Sequence, residues 1–104
     1  MTHIGHIDDF PPDSTSSVGA SFLAVLVVRR GDDLYLYQNL CPHAADTLDP
    51  LGKSVLDPGG LLLHCQRHGA EFLVETGECV SGPCQGESLQ TLPYTLSNGE
   101  IYLD

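Results

Sequence analysis

The sequence predicts a single all-β domain in which a loop-rich insertion carries the chemistry. Its 7 prolines and 11 glycines are spread so widely that no window of helical length is free of them, and no sustained helical apolar period is present. Short runs of β-branched and large apolar residues recur instead between turn residues, which is typical of strands. The 104 residues suffice for one domain core and are too few for two.

The first predicted element is a hairpin near the N-terminus. Phe22–Val28 is a strand-like apolar run, and Leu34–Gln38 follows it after a turn of Arg, Gly and Asp. Before this hairpin, the segment through Ser21 has turn composition after Asp8. We therefore expect the N-terminal segment to be only partly ordered.

The middle of the chain, residues 39–86, is crowded with Pro, Gly, Asp and Cys. Two short strands are predicted inside it, Leu61–His64 and Phe72–Val74, and the second leads into a turn over Glu75–Glu78. All four cysteines of the chain lie in this section. It is therefore the predicted chemical insertion.

A second hairpin is predicted at the C-terminus. Leu89–Leu96 and Ile101–Leu103 flank Asn98-Gly99, a pair that tolerates positive φ and favours a tight turn. The single domain, residues 1–104, is thus predicted to consist of a β scaffold over 1–38 and 87–104 and an insertion over 39–86.

Charge and hydropathy exclude several classes of protein. The longest apolar run has seven residues, far below a bilayer span, and the N-terminus lacks the basic region of a secretory signal. We expect a cytoplasmic protein that does not interact with membranes. The 14 acidic residues against 4 basic ones argue against nucleic-acid binding. They serve solubility, and they could also steer the protein towards a basic partner.

Two short motifs carry the candidate metal ligands. Cys41-Pro42-His43 and Cys65-Gln66-Arg67-His68 each offer one thiolate and one imidazole from the same loop. Two Cys and two His can hold a tetrahedral Zn²⁺, but zinc patterns usually place like ligands together. A 2Fe–2S cluster explains the mixed loops better, because one iron takes both thiolates and the other takes both imidazoles. Zinc stays open at this point as the alternative.

With these motifs the sequence resembles the Rieske ferredoxin family. The matching residues continue through Gly69, Ala70 and Phe72, and Thr76–Cys79 and Gly82-Pro83 are also similar. The resemblance implies a Rieske-like antiparallel β sandwich or barrel with a cluster-binding insertion, whose ligand loops are covered by a third loop around Gly82 and Pro83. It implies one 2Fe–2S cluster per chain, bound by Cys41, His43, Cys65 and His68 and surrounded by Ala45, Gly69, Ala70, Phe72 and Pro83.

Three differences within the family bear on the cluster. Ala45 stands where relatives commonly have Gly, so the first loop is expected to have altered geometry without losing the cluster. Ala70 and Phe72 stand where high-potential Rieske proteins carry Ser and Tyr, whose hydroxyls stabilise the reduced cluster. Asp46 and Arg67 replace the disulfide cysteines of those proteins. We therefore expect a potential near the bottom of the Rieske range, on the order of −150 mV.

The resemblance implies a monomeric electron carrier between a flavin-dependent reductase and a terminal oxygenase, and not an independent enzyme. A cluster-bearing structural or regulatory subunit, and a redox or iron–sulfur sensor, are the alternatives. Cys79 and Cys84 could form a bridge, although a cytosolic location favours packing as small side chains. His64 is expected to be structural, His3 and His6 to face solvent, and the four tyrosines to pack in the scaffold.

Overall fold

The computed structural model describes residues 2–20, 23–40, 48, 54–66, 69–82 and 86–104. Within these ranges the chain forms strands and one short 3₁₀ turn, Ile7–Asp9, and no α-helix. The strands are β1 (Thr2–His6), β2 (Ser14–Ala20), β3 (Leu23–Arg30), β4 (Asp33–Gln38), β5 (Leu62–His64), β6 (Glu71–Leu73), β7 (Cys79–Ser81), β8 (Tyr94–Ser97) and β9 (Glu100–Leu103).

The strands are arranged in three antiparallel sheets of three strands each. Their orders are β1-β9-β8, β2-β3-β4 and β5-β6-β7. This architecture confirms the all-β prediction. In the described part of the chain, no helix is long and apolar enough to cross a bilayer.

Strand β3 is buried on both faces, which explains its unbroken apolar sequence. Leu26 and Val28 belong to one hydrophobic core, and Val25 and Val27 to another. All four side chains are fully buried. A strand that is covered on both faces needs no alternation of polar and apolar residues, because successive side chains enter one core or the other.

The two cores join the central sheet to the other two. The first core contains side chains of the β5-β6-β7 sheet and its neighbouring loops, among them Leu63, Cys65, Ala70 and Phe72. The second contains residues of the sheet formed by the two termini, among them Ile4, Phe10, Ile101 and Leu103. Strand β3 therefore packs directly against the part of the chain that carries the second ligand motif.

The N-terminal segment is an ordered part of the scaffold, so the expectation of partial order was wrong. Strand β1 pairs with β9, and β2 pairs with β3 along its whole length, from Ser14 opposite Arg29 onward. The Arg29 guanidinium donates to the carbonyls of Ile7 and Phe10 at 3.0 and 2.9 Å, which fixes the turn between these strands. Pairing with a buried strand thus overrides the turn composition of the Ser-rich segment.

The two predicted hairpins are confirmed, with shifts in their bounds. In the C-terminal hairpin, Asn98 and Gly99 adopt φ of 52° and 81° between β8 and β9. Its first strand begins at Tyr94 and not at Leu89, because the preceding residues form only isolated bridges such as Tyr37 with Thr91. In the insertion, the predicted strands shift to β5 and β6 by one residue, and β7 was not predicted.

Candidate metal centre

The described residues of the second ligand motif, Cys65 and Gln66, directly follow β5, and Gly69 and Ala70 lead into β6. His64 pairs with Glu71, and the Cys65 N–H donates to the carbonyl of Ala70 at 2.8 Å. Inside that closure, the Gly69 N–H donates back to the Cys65 carbonyl at 3.0 Å. Gly69 adopts a φ of 73°, which glycine tolerates without strain and which reverses the chain towards β6. The hairpin therefore closes this loop tightly at Cys65 and Ala70.

Cys65 lies on the inner side of this loop and Gly69 on the outer side. The Cys65 side chain is fully buried in the first core and is a free cysteine. Gly69 is exposed, and among the described residues a Cβ placed there would meet nothing within 4 Å. A buried free cysteine, on a loop whose Gly69 is exposed, is compatible with a metal centre at the surface of the domain.

The chain that follows the first ligand motif is tied to the second loop. Leu48, fully buried in the same core as Cys65, accepts a hydrogen bond on its carbonyl from the Gln66 N–H at 3.0 Å. Its own N–H donates to the side-chain oxygen of Asn39 at 2.9 Å. The segments containing the two predicted motifs are thus joined by hydrogen bonds next to Cys65.

Gly82 brings a third segment against the second loop. It adopts a φ of 97°, and a Cβ placed on it would lie 2.8 Å from the Cα of Ala70. Only a glycine allows this close backbone approach without displacing one of the two segments. The expectation that residues around Gly82 and Pro83 cover the ligand loops stays a prediction, because Pro83 lies outside the described residues.

The predicted surroundings of the cluster are apolar where the structure describes them. Ala70 and Phe72 are both fully buried in the core that contains Cys65. Neither side chain has a hydrogen-bond donor. The structure therefore brings Cys65, Gly69, Ala70 and Phe72 together in one hairpin. Other predicted site residues lie outside the described residues, namely Cys41, His43, Ala45, His68 and Pro83.

The turn that leads into β5 is fixed by a carboxylate. Asp57 accepts hydrogen bonds from the N–H groups of Leu61 at 3.0 Å and Leu62 at 3.2 Å. The bond from the Leu62 backbone is the largest cause that lowers the pKa of Asp57 below its ordinary value. The carboxylate thus stays ionised and holds the start of the strand that delivers Cys65.

The remaining candidate residues have structural surroundings. Cys79 is a buried free cysteine whose thiol donates to the Ser81 carbonyl at 3.4 Å, so it packs as expected, while Cys84 lies outside the described residues. His64 is exposed on its strand. His3 is exposed beside Glu100, whereas His6 is only partly exposed because it caps the 3₁₀ turn. Among the described residues, no group of three His, Cys, Asp or Glu side chains could hold a metal ion.

Two residues that organise the site were missed in the sequence. Asn39 and Leu48 connect the loops, yet neither belongs to a ligand motif. The position of Asn39, two residues before Cys41, offers no signal that distinguishes a buried amide from an ordinary loop residue. Leu48 contributes through its backbone, which no side-chain pattern reveals.

A buried free cysteine that follows a strand of an all-β domain, tied through Leu48 to the chain after the first motif, is compatible with a small metal-cluster protein. Comparison with known proteins specifies the class. Residues 1–93 match the family model of the Rieske 2Fe-2S domain. The chain belongs to the Rieske domain family, as its motifs indicated.

Similar proteins of known role are ferredoxins. Ferredoxin CarAc of Metapseudomonas resinovorans is 35% identical over 86 residues, which cover 83% of this chain and 73% of that protein. The ferredoxin of carbazole 1,9a-dioxygenase from Nocardioides aromaticivorans IC177 has a TM-score of 0.82 at 28% identity, over 97% of this chain and 93% of that one. A complex of reduced oxygenase and oxidised ferredoxin in carbazole 1,9a-dioxygenase matches with a TM-score of 0.80 at 27% identity, over 97% and 89%.

These findings confirm the predicted fold, cofactor and class of function. The protein is a Rieske ferredoxin, an electron carrier that contains a 2Fe–2S cluster and is not itself an enzyme. The cluster supplies one-electron redox chemistry when bound. The described residues bury Cys65, close its loop and bring Leu48 and Gly82 beside it.

Proposed function

We propose that this ferredoxin passes single electrons from a flavin-dependent reductase to a terminal oxygenase of an aromatic-ring dioxygenase system. The observation that carries the proposal is the hairpin tip at Cys65, tied through Leu48 to the segment of the first motif, in a chain that belongs to the Rieske family. Support for the partner comes from the similar ferredoxin that is found in a complex with its oxygenase.

The proposed ligands are Cys41, His43, Cys65 and His68. Cys41 and Cys65 would bind one iron and the two histidines the other, which is the Rieske arrangement. The burial of Cys65 as a free thiol supports its share of this assignment. The other three ligands rest on the motifs Cys-x-His and Cys-x₂-His.

The proposed potential lies near the bottom of the Rieske range, on the order of −150 mV. The apolar, fully buried side chains of Ala70 and Phe72 support it, because neither can donate a hydrogen bond that stabilises the reduced cluster. A redox titration checks it, and a measured potential above zero would contradict it.

We also propose the division of the domain into a scaffold and a cluster-binding insertion. Residues 1–38 and 87–104 would form the scaffold and 39–86 the cluster-binding insertion, and the separate β5-β6-β7 sheet inside 39–86 supports this division. Free cysteines at positions 65 and 79 are compatible with a cytoplasmic location. We propose that the carrier acts there as a monomer.

The first experiment compares two cysteine variants that are both buried and differ in their proposed role. Cys65→Ser should abolish the visible absorption and the reduced EPR signal, because the cluster loses a thiolate. Cys79→Ser should retain both, since Cys79 only packs in the core. Iron and zinc analysis and spectra before and after dithionite provide the readout.

A wild-type protein with two irons per chain and a reducible chromophore would support the proposal. A colourless protein with one zinc would overturn it. Equal cluster loss in Cys65→Ser and Cys79→Ser, with equal loss of folded structure, would show that the cysteine comparison reports stability and not ligation. Reduction of the oxygenase by the reductase only when the ferredoxin is added would test the carrier role itself.

A further inference from the structure

We propose that Asn39 is a positioning residue that holds the two ligand loops in their relative register. The inference rests on the four ligands of the proposed function. It assigns a role to a residue that lies outside both ligand motifs. Asn39 lies at the end of β4, only 2% exposed and two residues before Cys41. A polar side chain at this depth needs partners, and two of them lie in β2 and at Leu48.

The scaffold side of Asn39 is fixed by β2 and β3. Its backbone N–H donates to the carbonyl of Ala24 in β3 at 2.8 Å. Its side-chain Nδ2 donates to the hydroxyl of Ser17 in β2 at 3.1 Å. The amide is therefore held by the central sheet, whose strands pair along most of their length.

The loop side of Asn39 reaches Leu48 and, through it, the second ligand motif. Its Oδ1 accepts a hydrogen bond from the Leu48 N–H at 2.9 Å. The Leu48 carbonyl in turn accepts one from the N–H of Gln66, the residue that follows Cys65. A relay from Ser17 through Asn39 and Leu48 to Gln66 thus starts in the rigid sheet and ends beside a proposed ligand.

The chemistry of the relay requires an amide at this position. One terminal atom of the side chain must accept a hydrogen bond from a backbone N–H, and the other must donate one to a hydroxyl. The side chain must also be uncharged, because it lies in the core. Leucine has the same number and branching of side-chain heavy atoms as asparagine but would leave the buried Leu48 N–H without this acceptor. Hydrogen bonds behind metal ligands orient them, and their removal typically weakens metal binding 10–100-fold.

The test uses the holoprotein with Asn39→Leu and Asn39→Asp. Asn39→Leu should release iron to a chelator at least about tenfold faster than the wild type and change the g values of the reduced cluster. Asn39→Asp keeps an oxygen that can accept from Leu48, but it removes the amide donor to Ser17 and places an acid in the core, so it should also release iron faster than the wild type. Tyr37→Phe is the matched control, because it removes another buried hydrogen bond, to the Val74 carbonyl, on the far side of the hairpin.

Iron release and g values separate positioning from plain stability. If Asn39→Leu and Tyr37→Phe lower the unfolding free energy alike and both keep wild-type g values and release rates, the proposal is overturned. If Asn39→Leu fails to fold, Ser17→Ala removes the outer hydrogen bond of the relay and should raise the release rate in the same direction. An unchanged rate in Ser17→Ala would then reject the relay. A wild type without cluster would instead reject the proposed function.

Discussion

Single residues fix how closely the segments around the ligand loops approach one another. Gly82 lies directly on the backbone of Ala70, and Gly69 reverses the chain at the hairpin tip. Cys65 is fully buried although it belongs to a loop. The geometry of this loop therefore depends on two glycines, which allow the close approach and the reversal of the chain, and on Cys65, whose thiol is buried in the core.

The contact at Gly82 predicts a specific cost for a single methyl group. Gly82→Ala places a Cβ 2.8 Å from the Cα of Ala70 and also strains a φ of 97°. Gly86→Ala provides the matched control, because Gly86 has nearly the same φ, 96°, and nothing within 4 Å. Backbone strain should cost each variant about 1–3 kcal/mol, and overpacking should cost Gly82→Ala about 1–3 kcal/mol more.

Urea unfolding of both glycine variants measures this difference. Because Gly82 lies against Ala70, which follows the second ligand motif, Gly82→Ala should also lose iron faster than Gly86→Ala. Equal unfolding free energies for the two variants would show that the segment at Gly82 moves away from Ala70 without cost.

At the scale of elements, the sequence predicts those strands that form because of the properties of their own residues. The apolar run of β3 and the Asn98-Gly99 turn identify the two hairpins, since burial and positive φ are properties of the residues themselves. Strand β2 could not be predicted, because its Ser-rich sequence becomes a strand only by pairing with β3. The ligand motifs likewise predicted the chemistry, whereas the connection through Asn39 and Leu48 arises from tertiary contact alone.

Tyr37 connects two elements and predicts how stability depends on pH. Its hydroxyl donates to the Val74 carbonyl at 2.5 Å, between β4 and the turn after β6. Burial raises the pKa of Tyr37 from 10 to about 12. Because the folded-state pKa is raised, the contribution of this group is complete below about pH 10 and is lost as the pH rises from 10 to 12.

Unfolding free energies of the wild type and Tyr37→Phe, measured from pH 8 upward, check this linkage. Below pH 10 the variant should be less stable by about 1 kcal/mol, the usual net value of a hydrogen bond. Above pH 10 the two curves should converge and then cross, since phenylalanine does not titrate and a shift of two pKa units outweighs a hydrogen bond of about 1 kcal/mol. If the unfolding free energies of the two proteins changed in parallel above pH 10, the ionisation of Tyr37 would not be the cause of the loss of stability at alkaline pH.

At the scale of the whole molecule, acidic charge collects at the end of the scaffold that β4 separates from Asn39. The exposed aspartates at positions 8, 9, 13, 32 and 33 lie on turns that Arg29 and the bond from Gly31 N–H to Asp13 bring together. Strand β4 leads from Asp33 to the residues before Cys41, and its six residues span about 20 Å. The net charge of −10 is therefore a poor guide to the charge at the docking face.

This distribution predicts which acids control docking to a basic acceptor. Glu71 follows Ala70 at the base of the second ligand loop, so Glu71→Gln should slow electron transfer to the oxygenase about two- to threefold at physiological salt. Asp32→Asn with Asp33→Asn removes twice the charge but should leave that rate nearly unchanged, because the Debye length of about 8 Å screens charges about 20 Å away.

Stopped-flow rates at two ionic strengths test the distribution directly. At about 0.01 M, where the Debye length grows to about 30 Å, the double aspartate variant should also become slower than the wild type. A larger effect of the aspartates than of Glu71 at physiological salt would place the docking face at the acidic end of the scaffold. Because that end is separated from the first motif by the length of β4, the electron would then have to cross most of the central sheet, which a tip-mounted cluster avoids.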